Sequence, residues 1–152
     1  MENHNSCFRL FKSSWGILIE FTGKINDVTE EDLEAETNLT QINDSLFLKL
    51  NISKQNKFIY ANKFYLENGL LWVSDSIPDK KITIIEIDKI EFDFLNFQIE
   101  GLFLGIASWI CNYYQIPMPE YSCIYDRDHK KYLFYFNDIR SKKLLYPNVP
   151  EF

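Results

Sequence analysis

The segment "DRDH", Asp126 to His129, gathers carboxylate and imidazole donors of the kind that zinc or a hard cation accepts. The same residues also suit a polar hairpin turn, and the glycine and closing glutamate of a calcium loop are missing, so no metal is expected there. Cys111 or Cys123 with His129 would form a thiolate–imidazole couple, but free cysteines are most often small buried apolar residues. Glu86 and Asp88 would serve as an acid–base pair if buried together, because one carboxyl would then titrate high. Their alternation with isoleucines equally describes a solvated strand face. The chain has no Gly-rich phosphate loop, no nucleophile elbow and no His-Glu-x-x-His helix. A non-enzyme without cofactor or metal is therefore expected.

The densest charge lies in "DVTEEDLEAE", where Asp27, Glu30, Glu31, Asp32, Glu34 and Glu36 put six acids into ten residues with no base. Thr29 and Asp32 fit a capping box, with Asp in place of the usual Glu, so a short acidic helix is expected. Val28, Leu33 and Ala35 would hold it to the body, turning a charge run into a fixed patch. These six acids are the first candidates for partner binding. The second candidates are Tyr65 and Trp72, through the element that carries them. "KFIYANKFYLENGLLWVSD" contains Asn68-Gly69, a strong hairpin signal, because both central residues of a type I′ turn need positive φ. A two-residue loop there pairs Tyr65 with Trp72 on a half-wet face and buries Phe64, Leu66, Leu71 and Val73 on the other.

The scaffold for these residues reads as α+β. "GILIEF", "SLFLKLNI" and "KKITIIEIDKIEFDF" have the composition of strands. In the last of these the alternation slips, since Ile84 and Ile85 are adjacent and Ile87 follows in the opposite phase, which predicts either cover on both faces near Ile84 to Ile87 or a bulge that shifts the register. Phe97 to Tyr114 is the most apolar stretch, yet its truly apolar part, Gly101 through Cys111, is too short for the roughly 20 residues of a membrane span. It reads as one long amphipathic helix capped by Asn96 and stopped before Pro117. Ile99, Leu102, Phe103, Ile106, Trp109, Ile110 and Tyr113 form its apolar stripe, and Glu100, Ser108, Cys111, Asn112 and Gln115 lie opposite. Gly101 and Gly105 would let a sheet approach closely. "YSCIYDRDHKKYLFYF" follows as two strands, giving β-α-β-β in the second half of a mainly antiparallel fold. The tail "YPNVPEF" falls outside any periodic pattern and is expected along the surface or frayed.

At 152 residues with 46% hydrophobic and 25% charged side chains, residues 1–152 are expected to form a single globular domain. A net charge of −6 is the wrong sign for neutralising phosphates, which disfavours direct nucleic-acid binding. Three cysteines without a Cys-x-x-Cys unit suggest reduced thiols, and Glu2 precedes any basic residue, unlike a secretory signal. A cytoplasmic location is expected.

In size, in its Asn, Lys and Ile usage ("NISKQNKFIYANK"), in lacking catalytic motifs and in its acidic patch, the chain resembles the small acidic immunity proteins that bacteria encode beside polymorphic or contact-dependent toxins. The resemblance is to a class and carries over no individual residue. It implies a protein partner, a basic toxin domain, occluded by an acidic surface that also speeds association. The other readings are an adaptor domain binding through Tyr65 and Trp72, and an enzyme of unrecognised chemistry.

Overall fold

A computed structural model describes residues 2–78 and 81–148. From residue 149 on, the expectation for the tail lies outside the described residues. The chain begins with strands β1 (His4–Phe11) and β2 (Gly16–Asp27) and the short helix α1 (Glu30–Ala35). Strands β3 (Leu39–Gln41) and β4 (Leu46–Leu50) follow, then helices α2 (Lys57–Ala61) and α3 (Lys63–Val73) and strand β5 (Thr83–Phe92). The second half is helix α4 (Glu100–Tyr114), strands β6 (Ser122–Asp126) and β7 (Lys131–Tyr135), and helix α5 (Ile139–Leu145). The order β5-α4-β6-β7 follows the β-α-β-β reading, but α5 after it, like α2 and α3 before it, adds helices beyond the one long and one short helix expected from the sequence.

Five strands form one sheet in the order β1-β2-β5-β4-β3, and β6-β7 is a separate two-stranded hairpin. All pairs are antiparallel except β4-β5, which the α2-α3 crossover makes parallel. Both expectations for the slip in β5 are met. The register shifts between Thr22 and Gly23, whose partners Lys89 and Ile87 leave Asp88 as the extra residue of a bulge. Ile84 is buried on one face while Ile85 and Ile87 are buried on the other. Past the bulge the parity flips, so that Ile90 returns to the buried face.

The pair Asn68-Gly69 is not a hairpin. It lies inside the 11-residue helix α3, and no glycine has positive φ. A turn signal is local, whereas Leu66, Leu70 and Val73, all fully buried, recur at the three- and four-residue spacing that packs α3 onto α4. Burial of that stripe outweighs the roughly 1 kcal/mol that a mid-helix glycine costs. Of the four residues assigned to the buried hairpin face, Leu66 and Val73 are buried, whereas Phe64 is exposed and Leu71 is partly so.

Helix α4 is covered on both sides. Gly101 and Gly105 face the sheet so closely that an added Cβ would stand 2.7 Å from Ile19 Cδ1 and 2.4 Å from Phe21 Cε2. On the other side the Phe103 ring stacks on Trp72 of α3, with centroids 5.1 Å apart. Consequently Glu100 and Cys111, on the face expected to be polar, are buried, and the exposed residues cluster at the last turn, where Asn112 and Gln115 are joined by Tyr113, which is expected in the apolar stripe but lies largely beyond the cover of the sheet and α3. The start also differs. Asn96 does not cap α4; Asp93 caps a 3₁₀ turn, Phe94–Asn96, and α4 begins at Glu100 without a side-chain cap. Gln115 in the left-handed region closes the helix, and Ile116 N donates back to Cys111 O at 3.0 Å.

Candidate functional site

The acidic segment grows out of the end of β2. Asp27 is the last residue of that strand and accepts a 3.0 Å hydrogen bond from Thr83 Oγ1 of β5. Val28 N donates to Ile82 O at 2.9 Å, which fixes the chain as it leaves the sheet. The capping box is present: Asp32 N donates to Thr29 Oγ1 at 3.1 Å and Thr29 N to Asp32 Oδ2 at 3.4 Å. Leu33 is half-buried, whereas Ala35 is exposed and anchors nothing.

The six carboxylates are therefore not equivalent. Asp27 and Asp32 accept bonds from their own scaffold, and Glu36 Oε2 pairs with Lys49 Nζ of β4 at 3.0 Å. That hydrogen bond holds the Lys49 ammonium above its ordinary pKa. Glu30, Glu31 and Glu34 are exposed, and among the described residues no cation lies within 4 Å of them. Three uncompensated charges on a capped turn make a surface suited to attracting a basic partner.

The aromatic candidates separate. Trp72 is 4% exposed, and its Nε1 donates 3.0 Å to Ser141 Oγ, which in turn donates to Asp138 Oδ2 at 2.9 Å. It is a core residue joining α3, α4 and α5, and cannot meet a partner as expected. Tyr65 is half-buried; burial, and then the nearby Glu100 charge, push its phenol above the ordinary value.

Exposed apolar surface gathers elsewhere. Phe94 and Leu95, in the 3₁₀ turn after β5, are 66% and 71% exposed. Phe58, Phe92 and Phe97 buttress the Phe94 ring at centroid distances of 5.1 to 5.8 Å. Asp93 Oδ1 accepts from Leu95 N at 2.9 Å and fixes the turn. Sequence alternation through Glu91, Phe92, Asp93 and Phe94 reads as more strand; the missed signal is the Asp-x-x-Asn spacing of Asp93 and Asn96, which favours a turn. This tip and α1 occupy opposite ends of β5, because Thr83 pairs with Asp27 and Phe92 with Ile19. Nine residue steps of strand separate them by roughly 30 Å.

The residues read for catalysis and metal binding are hydrogen-bonded, ion-paired or buried. His129 Nδ1 lies 2.7 Å from Asp126 Oδ2, and this bond, helped by the His129 and Asp128 backbone N–H groups, depresses the Asp126 pKa. Cys111 is buried in α4, and burial pushes its thiol up to about 11. Glu86 and Asp88 share the amide of Asn51, at 3.2 and 3.1 Å, and Asp88 also meets Lys24 at 3.5 Å. Among the described residues, no group of three or more His, Cys, Asp or Glu could hold a metal ion, and no helix is long and apolar enough to cross a membrane.

No protein-family model matches the chain, and neither does any curated protein or solved structure.

Proposed function

We propose that the chain is a binding protein of the immunity type, which neutralises a cognate bacterial toxin in the cytoplasm by covering a basic surface. The observation that carries this reading is the uncompensated trio Glu30, Glu31 and Glu34 on a capped helix tied to the sheet at Asp27 and at Lys49. A fixed array of like charge acts mainly on the encounter, raising association by steering. Retrieval of partners with the whole chain as bait, followed by association rates against ionic strength, tests it. Glu30, Glu31 and Glu34 changed together to Lys should slow association and flatten its salt dependence with little change in melting temperature. Overlapping salt curves for wild type and triple variant would show that the acids are only solvated.

A second reading, an adaptor domain, is favoured by one specific observation, the Phe94–Leu95 tip. Adjacent exposed apolar residues held in a capped turn are preorganised for an apolar pocket, so little ordering entropy is lost on binding. In that case Phe94→Ser with Leu95→Ser abolishes capture and the charge reversal does not.

A further inference from the structure

The two edges of the five-stranded sheet differ. β3 is three residues long, a short edge of the kind that discourages unwanted pairing. β1 is eight residues long and pairs with β2 through every position from His4–Gly23 to Phe11–Gly16 without a bulge. It holds no proline or glycine, and of Asp, Glu, Lys and Arg it contains only Arg9. Trp109 Nε1 covers the His4 carbonyl at 3.0 Å, but among the described residues no strand lies along the rest of the outer edge. A row of main-chain donors and acceptors of that length is a template for one kind of occupant, another extended strand.

We propose that this edge pairs antiparallel with the β1 edge of a second copy, extending the sheet across a twofold axis. Antiparallel pairing about a twofold is self-complementary, since the outward donors and acceptors of one strand meet acceptors and donors of the same strand in the other copy. Side-chain parity restricts the register. Ser6, Phe8 and Leu10 lie on the helix side, and Cys7, Arg9 and Phe11 on the exposed side, so like faces must match. With Arg9 on the axis two guanidinium groups would face each other, which disfavours that register. With Phe8 on the axis, Cys7 stands opposite Arg9 of the other copy; with Cys7 on the axis, the two thiols are opposite. Both are free of like-charge clashes. Cys7, exposed at mid-strand, reports on both, whereas Cys111 and Cys123 are buried.

The proposal goes beyond the binding function and uses a different edge from the one nearest α1. It is tested by sedimentation of the reduced protein from low micromolar to several hundred micromolar. Wild type should rise with concentration toward twice the 18.1 kDa of one chain. Cys7→Lys places an ammonium opposite either Arg9 or its own copy, and should weaken self-association by roughly tenfold or more while the melting temperature holds. Should that variant fail to fold, hydrogen exchange of the wild-type amides at residues 4–11 decides the matter, because dimerisation slows it as concentration rises. Mild oxidation of a dimerising wild type then gives the register: a Cys7–Cys7 disulfide supports pairing with Cys7 on the axis, and its absence supports pairing with Phe8 there. A mass of 18.1 kDa at every concentration, or a dimer that Cys7→Lys leaves intact, overturns the proposal.

Discussion

Replacing Gly69 by Ala tests the crossing of α3 and α4, on which the burial of both helices depends. An added Cβ at this position would stand 2.4 Å from Phe103 O, 3.1 Å from Phe103 C and 2.7 Å from Ile106 Cγ2. The Ile106 methyl can give way, but the Phe103 carbonyl belongs to the backbone of a helix buried on both sides, so α3 itself must move. Two effects oppose each other. Alanine in a helix interior gains about 1 kcal/mol over glycine, and overpacking a dense core costs about 1–3 kcal/mol. Loosening the Trp72–Phe103 stack adds to the cost, so a net loss of about 1–2 kcal/mol is expected. For a chain of this size that lowers the melting temperature by roughly 2–8 °C. The assay is thermal and urea unfolding of Gly69→Ala, Ile106→Ala and the double variant. Because Ile106→Ala removes one of the clashing atoms, the double variant should lose less than the sum of the singles by about 1 kcal/mol. A raised melting temperature in Gly69→Ala, or strict additivity in the double variant, would refute the packing argument.

Trp72→Phe removes the indole bond to Ser141 and part of the ring stacked on Phe103; a stability loss of about 2 kcal/mol in urea titration, with unchanged partner binding, would mark Trp72 as a core residue. Asp138 caps α5, and its bonds from the Ser141 N–H and hydroxyl depress its pKa. Its contribution is therefore complete above the unfolded value of about 3.9 and is lost as pH falls through the lower folded value, so Asp138→Ala should cost about 1 kcal/mol at pH 7 and progressively less below pH 4 in acid-unfolding curves. With its thiol pushed up to about 11 by burial, Cys111 should resist alkylation at pH 8 in the native protein, while exposed Cys7 reacts, though slowed because partial desolvation, and then the Glu20 charge, raise its pKa; mass spectrometry of partially labelled protein reads both.

Local signals were sufficient wherever the physics is local. Thr29 and Asp32 announced α1 because a capping box needs only residues three apart. Asp126 to Lys131 announced the β6-β7 turn, and the break in alternation over Ile84 to Ile87 narrowed β5 to two-sided cover or a bulge, both of which it has, because side-chain parity is written in the strand itself. The run of acids was legible as charge, but which carboxylates stay uncompensated was not: Lys49 pairs with Glu36 from strand β4, and Thr83 meets Asp27 across 56 residues. Asn68-Gly69 shows the limit most clearly, since its preference for a turn is worth about as much as a single residue contributes, and the buried faces of α3 and α4 overrule it. The two-sided cover of α4 has the same origin. A sequence shows that one stripe is apolar, but only assembly places the sheet against Gly101 and Gly105 and α3 against Phe103, enclosing Glu100 and Cys111 as well. Composition and short-range pattern thus determined an acidic α+β chain with its caps, turns and strand phases; long-range packing alone decided which aromatic rings are core, which are exposed at Phe94, and which strand edge remains open, because burial is a property of pairs of elements that sequence neighbours do not encode.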